Sequence, residues 1–163
     1  MLTDMLFQKT KTQNHIKSLS IYASSKHGQI IFAPMSKNFA GIRYEQEECF
    51  SCDFTISDLL LGECALKYFY LFNIKDKNLR EHKSTDWPAF KHSKVKALRS
   101  FEADYIRVSV TGLDENNHTL RIEGLPYKDS DLSVTSMISA HTEPINIGDR
   151  INKVIDVCLS GKF

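Results

Sequence analysis

The stretch that decides the fold is residues 105–111, YIRVSVT, with residues 120–123, LRIE, following a short polar insert. Apolar and polar side chains alternate in both segments, and a period of two places all the apolar side chains on one face of a strand. The apolar positions are Ile106, Val108, Val110, Leu120 and Ile122. The insert at residues 114–118, DENNH, has the composition of a turn. We therefore predict a β-hairpin over this part of the chain.

Further strands are predicted on both sides of this hairpin. Residues 18–23, SLSIYA, alternate in the same way, and a turn at residues 26–28 connects them to residues 29–33, QIIFA. We expect another hairpin there, with its first strand half-buried. Residues 42–44 are expected to form a short strand. Residues 132–135 are expected to add a strand that extends the hairpin of the opening segment into an antiparallel meander.

Two long helices are predicted from their capping signals and apolar periods. Residues 55–58, TISD, match the capping pattern in which a hydroxyl accepts a backbone N–H, so a helix should begin there. Its apolar residues cover most of its circumference, and we expect it to be buried on nearly every side. Pro144 stands at the first position of an amphipathic helix that ends at residues 160–161. The apolar stripe of this helix is Ile147, Ile151, Val154, Ile155 and Cys158.

The remaining segments complete a prediction of the fold class. Residues 73–88 are polar and are expected to form a long surface connection, the most mobile loop of the molecule. Ser93 is expected to cap a short helix that continues to Phe101. We predict one α+β domain over residues 1–163, with an antiparallel or mixed β-sheet and about three helices packed against it. Residues 1–17 are expected to be a flexible N-terminal segment.

Length and composition exclude several classes of protein. The chain has 163 residues, of which 42% are hydrophobic and 25% charged, as in a folded domain rather than a disordered or fibrous protein. Lys and Arg number 21 and Asp and Glu 20, so no basic excess favours nucleic acid or an anionic membrane as a partner. Residues 1–14 lack the pattern of a signal peptide, and the nearly apolar stretch 59–72 is too short to span a bilayer. We expect a cytoplasmic protein that binds neither nucleic acid nor membrane directly.

The cysteines offer an alternative function. Cys49 and Cys52 form a C-x-x-C pair, the spacing with which two thiolates bind one zinc ion or form a reactive dithiol. A structural zinc site needs two further ligands, and the remaining cysteines, Cys64 and Cys158, lie within helical patterns. The six histidines are scattered along the sequence. We therefore expect no metal, cofactor or catalytic residue, and the alternative is a small zinc- or thiol-dependent enzyme that uses Cys49 and Cys52.

The charges are unevenly distributed along the chain. Between residues 67 and 102 there are nine Lys or Arg, whereas residues 114–149 hold seven Asp or Glu. The acidic residues of the turns are Asp114, Glu115, Asp129 and Asp131. Exposed carboxylates at these positions would suit a basic partner, although turns are also generally rich in Asp. The basic segment has aromatic neighbours, but no strand has the aromatic pattern with which RNA-binding domains stack bases.

Five short motifs follow one another between residues 55 and 159. They are Leu61-Gly62-Glu63, Trp87-Pro88, Ser93-Lys94-Val95-Lys96, Phe101-Glu102 and Ile147-Gly148. In this order they resemble bacterial toxin-immunity proteins of the contact-dependent growth inhibition type. The similarity lies in a buried helix with a Leu-Gly pair, an element that leads into a strand hairpin, and a closing helix with an Ile-Gly pair.

This resemblance implies a function. Such a protein is small and cytoplasmic, has no catalytic residues or cofactor, binds the C-terminal toxin domain of its own system and blocks it stoichiometrically. The toxins are often nucleases with basic substrate clefts, which would suit the acidic turns. On charge and exposure alone, the candidate toxin-binding residues are Asp114, Glu115, Asp129 and Asp131. The identity of the toxin and the oligomeric state of this chain stay open.

Overall fold

The hairpin predicted from the opening segment forms two neighbouring strands inside the sheet. A computed structural model describes residues 14–126 and 131–161 of the chain. The strands are β1 (Ser18–Ser24), β2 (Gln29–Lys37), β3 (Arg43–Glu45), β4 (Phe50–Asp53), β5 (Asn73–Ile74), β6 (Ile106–Gly112), β7 (Thr119–Leu125) and β8 (Val134–Ser139). The α-helices are α1 (Asp58–Phe69), α2 (Pro88–His92), α3 (Leu98–Asp104) and α4 (Pro144–Ser160), and a 3₁₀ turn (Ser84–Asp86) precedes α2.

The strand order joins both predicted hairpins into one sheet. The order is β3-β2-β1-β6-β7-β8, and β4 and β5 also pair with β2. Where β1 meets β6, Ile21 lies opposite Val108, and where β6 meets β7, Val110 lies opposite Ile122. Among the described strands, every pairing is antiparallel except that of β2 with β5. The predicted α+β class, with helices packed against the sheet, is therefore confirmed.

The two faces of the sheet are covered to different extents. Alternation places Ile21 on a first face, which α1 and α4 cover, and Tyr22 on a second face, which α2 and α3 cover at the β1–β2 end. The first face carries the main core, including Leu19, Ile21, Ile30, Phe32, Val108, Val110, Leu120 and Ile122. The smaller cluster on the second face includes Tyr22, Ile31, Ala33, Ala89, Phe101 and Tyr105. β1 is buried along its whole length, so the prediction of a half-buried strand was wrong.

Helices α1 and α4 cross in direct backbone contact above the first face. A Cβ atom on Gly62 would lie 1.7 Å from the carbonyl oxygen of Pro144, and a Cβ atom on Gly148 would lie 1.8 Å from that of Asp58. Neither position therefore has room for any side chain. Asn152, one turn further along α4, donates a hydrogen bond to the Asp58 carboxylate. These glycines belong to two of the five sequence motifs, so those motifs serve the contact between the helices.

Helix α1 begins two residues later than predicted. Its N-cap is Ser57, whose hydroxyl accepts the Leu60 amide hydrogen at 3.3 Å. Thr55 instead donates its amide and hydroxyl hydrogens to Asp53 Oδ1, at 2.8 and 2.6 Å, so it belongs to the preceding turn. The expectation that the helix is buried on nearly every side was also wrong, because Leu59 and Leu60 are half exposed. The sheet and α4 cover only part of its circumference.

The region between β5 and β6 contains more helix than predicted. Helix α2 begins at Pro88, and Ser93 is its C-cap rather than the N-cap of the next helix. Helix α3 begins at Leu98, with Ala97 as its N-cap. The described residues thus contain four α-helices instead of about three. The connection at residues 73–88 carries β5 and the 3₁₀ turn, and its mobility stays a prediction.

The structure describes the end of the N-terminal segment, and it places the last strand later in the chain than predicted. Of residues 1–17, predicted to be flexible, residues 1–13 lie outside the described residues. The side chain of Asn117 binds the described part of this segment, residues 14–17. Its amide nitrogen donates to the His15 carbonyl at 2.9 Å, and its amide oxygen accepts the Lys17 N–H at 2.8 Å. Strand β8 begins at Val134, two residues later than predicted, and continues to Ser139. It completes the predicted antiparallel meander with β7.

The helix contact predicts the effect of adding one methyl group to α1. Alanine is intrinsically better than glycine in a helix by about 1 kcal/mol. At Gly62 the added Cβ would meet backbone rather than a movable side chain, and overpacking of this kind costs about 3 kcal/mol or more. We expect Gly62→Ala to lower the free energy of unfolding by at least about 2 kcal/mol, the difference between these effects, as measured by urea denaturation.

Gly28→Ala is the control for this prediction. Gly28 has a φ of +61° and no heavy atom within 4 Å of its Cβ position, so alanine there pays only the strain of the left-handed backbone. We expect it to destabilise the protein less than Gly62→Ala. A Gly62→Ala variant as stable as the wild-type protein would contradict the described contact.

Candidate interaction surfaces

The two cysteines of the C-x-x-C pair lie on opposite faces of the sheet. Cys49 is buried in the cluster of the second face, together with Tyr22 and Ile31. Cys52, on β4, packs against the main core of the first face. All four cysteines are free. The structure therefore does not bring Cys49 and Cys52 together as a dithiol or as a pair of zinc ligands.

The protonation of these thiols follows from their burial. Burial raises the pKa of Cys49 to about 12, and the carboxylates of Glu45 and Glu47 add to the shift. Burial, with smaller contributions from Cys64 and Asp53, raises the pKa of Cys52 to about 11. A raised pKa leaves little thiolate at neutral pH, and the thiolate is the form that attacks electrophiles and binds metals. Across residues 14–126 and 131–161, no group of three or more His, Cys, Asp or Glu side chains is arranged to hold a metal ion.

The predicted acidic residues lie at two ends of the sheet. Asp114 and Glu115 are exposed in the turn between β6 and β7, where Asp114 Oδ1 accepts the Asn116 N–H at 2.8 Å. Asp131 is exposed just before β8, at the opposite end of β7. Because β7 has seven residues, these turns are about 20 Å apart. Asp129 lies outside the described residues. The three acidic residues that the structure describes thus do not form one continuous patch.

Between the two acidic turns lies the uncovered part of the second face, here called the open face. It is formed by the outward-facing residues of β6, β7 and β8, among them Arg107, Ser109, Arg121, Glu123, Leu125 and Met137. The Arg107 guanidinium donates to Ser20 Oγ at 3.1 Å, and Arg121 lies 3.6 Å from the Glu123 carboxylate. Met137 is 56% exposed. The open face is therefore a polar surface with some accessible apolar area, and none of the helices within residues 14–126 and 131–161 contributes to a hydrophobic cluster over it.

A cleft of about 590 Å³ lies at the other side of the sheet, along β3 and β5. Its charged walls face each other, because Lys77 Nζ lies 2.9 Å from a Glu47 carboxylate oxygen. Hydrogen bonding to Lys77 is the main reason that the pKa of Glu47 is lowered. Tyr44, which also lines the cleft, donates its hydroxyl hydrogen to the Lys75 carbonyl at 2.7 Å. The opposite charges of Glu47 and Lys77 in this cleft are thus paired with each other.

Two histidine contacts were missed by the sequence analysis. His27 Nε2 lies 2.8 Å from an Asp104 carboxylate oxygen, and this hydrogen bond is the first cause of the lowered pKa of Asp104. His118 Nδ1 lies 2.7 Å from His141 Nε2. The partners are 77 and 23 residues apart, so no local motif contains them. The predicted meander held a usable signal for the second pair, because His118 directly precedes β7 and His141 closely follows β8.

None of the described helices is both long enough and apolar enough to cross a membrane.

The buried thiols predict slow chemical modification. At pH 8, a shift of the Cys49 pKa from 9.0 to about 12 removes most of its thiolate. We expect iodoacetamide to alkylate Cys49 and Cys52 at least about a hundredfold more slowly than a free cysteine, as followed by mass spectrometry of tryptic peptides. All four cysteines should react rapidly in urea. Labelling of the native protein at the rate of a free thiol would contradict this assignment.

Comparison with known proteins finds likeness only at the level of structure. No family model matches the sequence, and no curated protein matches it. A protein of unknown function from Neisseria meningitidis is 12% identical, with a TM-score of 0.71 over 92% of this chain and 99% of that chain. A chain of a CdiA-CT/CdiI toxin and immunity complex from Yersinia pseudotuberculosis is 13% identical, with a TM-score of 0.64 over 89% of this chain and 98% of that chain. At these identities the likeness shows a shared fold.

Proposed function

We propose that this chain is an immunity protein that binds and neutralises its cognate contact-dependent growth inhibition toxin domain. The observation that carries the proposal is the fold shared with a chain of a toxin and immunity complex over nearly the full length of both chains. The five sequence motifs point to the same class of protein independently of the structure. The mechanism is stoichiometric blocking in the cytoplasm, without cofactor, membrane or direct contact to nucleic acid.

The arrangement of the acidic turns suggests which surface of this chain binds the toxin domain. A protein interface of ordinary size covers about 800 Å² on each partner and is about 30 Å across. Such an interface, centred on the open face, would reach both Asp114 and Asp131. We propose that the toxin is a nuclease whose basic cleft approaches these turns, with Glu115 and Asp129 adding to the negative field. Exposed charges at the edge of an interface mainly accelerate association.

The alternative, a zinc- or thiol-dependent enzyme, has no structural observation in its favour. Its proposed residues, Cys49 and Cys52, pack into different clusters, and their pKa values are raised rather than lowered.

The test of the proposed function is direct binding and neutralisation. The chain is expressed together with the toxin domain encoded next to it, and growth of the host cell is followed. We expect growth to be restored, and a one-to-one complex with a Kd below about 100 nM in calorimetry. Cys52→Ser should protect equally well, whereas a thiol enzyme would lose activity. Toxicity that persists despite a folded, abundant protein would exclude the immunity function for that toxin.

A charge reversal tests the acidic turn. Asp114→Lys/Glu115→Lys should slow association with the toxin about tenfold at low salt, with a smaller effect at high salt because ions screen exposed charges. The same experiment on Asp129→Lys/Asp131→Lys tests the other turn. Stopped-flow fluorescence measures both rates.

Asp149→Lys/Asp156→Lys is the matched control for these variants. It changes the net charge equally but lies on α4, on the far side of the sheet from the open face. If the control slows association as much as the turn variants, only net charge matters. Unchanged rates in both turn variants would remove the acidic turns from the interface.

A further inference from the structure

The pair formed by His118 and His141 is held in place by the sheet. The last paired residues of β7 and β8 are Thr119 and Ser139, so the pair lies where the two strands end. The Ala140 N–H donates to the His118 carbonyl at 2.8 Å, and the His141 N–H donates to Ser139 Oγ at 3.2 Å. Both imidazoles are exposed, with ring centroids 5.0 Å apart. Their nitrogen atoms are thus brought together by backbone pairing, and both remain accessible from solvent.

We infer that these two imidazoles form a surface site for a divalent transition-metal ion such as Zn²⁺, Ni²⁺ or Cu²⁺. Imidazole nitrogen is a ligand that these ions favour, whereas Mg²⁺ and Ca²⁺ require oxygen. Two nitrogens bound to one ion at about 2.0 Å are about 2.9 Å apart at the right angles that Cu²⁺ and Ni²⁺ favour, and about 3.3 Å apart at the tetrahedral angle of Zn²⁺. The observed separation of 2.7 Å between His118 Nδ1 and His141 Nε2 is nearer to the right-angled value, so Zn²⁺ requires the two rings to move further apart than Cu²⁺ or Ni²⁺ does. For each ion the rings must also turn so that both lone pairs point to one position.

Metal binding must displace the hydrogen that His118 Nδ1 and His141 Nε2 share. In a neutral pair, one of the two facing nitrogens carries a hydrogen and the other accepts it. Metal binding moves that hydrogen to the outer nitrogen of the same ring, which is a change of tautomer without oxidation or net proton release.

The surroundings limit what this site can do. No third His, Cys, Asp or Glu joins the pair within the described ranges, so water molecules complete the coordination. Two protein ligands give weaker binding than a closed four-ligand site. The ion would connect the turn after β6 with the turn before α4, next to Asp114 and Glu115. The site would therefore hold together two loops at one end of the sheet.

Calorimetric titration of the full chain, free of any affinity tag, tests this site. ZnCl₂, NiCl₂ and CuCl₂ are titrated separately at pH 7.5. We expect one ion per chain and a higher melting temperature with the metal. His118→Gln and His141→Gln should each weaken binding at least tenfold, since either change leaves a single imidazole.

His82→Gln is the matched control, because His82 is exposed and distant from the pair in the fold. It should bind the metal as the wild-type protein does. Circular dichroism confirms that each variant is folded, so a lost site is distinguished from a lost fold. The inference is overturned if the wild-type protein shows no saturable binding. It is equally overturned if either pair variant binds as tightly as the wild-type protein, or if His82→Gln loses binding to the same extent.

Discussion

The close crossing of α1 and α4 is the constraint on which the rest of the structure depends. Gly62 and Gly148 allow the two backbones to touch, and this lets both helices lie on the first face of the sheet together. Their apolar residues then cover β1, β6 and β7 and form the main core. Strand β7 follows the same principle, because a Cβ on Gly124 would meet side chains of α4 at 2.6 and 2.7 Å. Glycines, which have no side chain, thus allow α4 to pack closely both on α1 and on the sheet.

Patterns that depend on one segment were predicted well, whereas those that depend on several were not. The alternation in β6 and β7 and the apolar stripe of α4 gave the right elements, since each has one buried face. The alternation of Ser18 and Ser20 with apolar residues predicts a half-buried β1, yet residues of α2 and α3 pack on Tyr22 of the polar face, and Arg107 donates to Ser20. The start of α1 was misplaced because Thr55 and Ser57 both fit a cap, and only the contact of Thr55 with Asp53 decides between them.

The candidate sites show the same difference between features set by one segment and features set by several. The sequence proximity of Cys49 and Cys52 suggested a joint role, but the chain passes from one face of the sheet to the other between them. His118 and His141 are distant in sequence, and the pairing of β7 with β8 brings them into contact. The exposure of Asp114 and Glu115 followed from turn composition alone, whereas the separation of the two acidic turns required the length and direction of β7. The spacing of two residues along the sequence is thus a poor guide to whether they form a site in a β-sheet, because the pairing of strands decides which residues become neighbours.

The open face has a consequence for how the protein can change over time. Its side chains contribute little to either hydrophobic cluster, and substitutions at such positions usually alter stability by less than about 0.5 kcal/mol. Mutations there can accumulate without loss of the folded state, while those at Gly62 or Gly148 cannot. The open face can therefore acquire new surface chemistry, and with it a new binding specificity, at little cost in stability and on the same backbone. Two chains that are only 12% and 13% identical to this one have the same fold, so very different sequences can adopt this backbone.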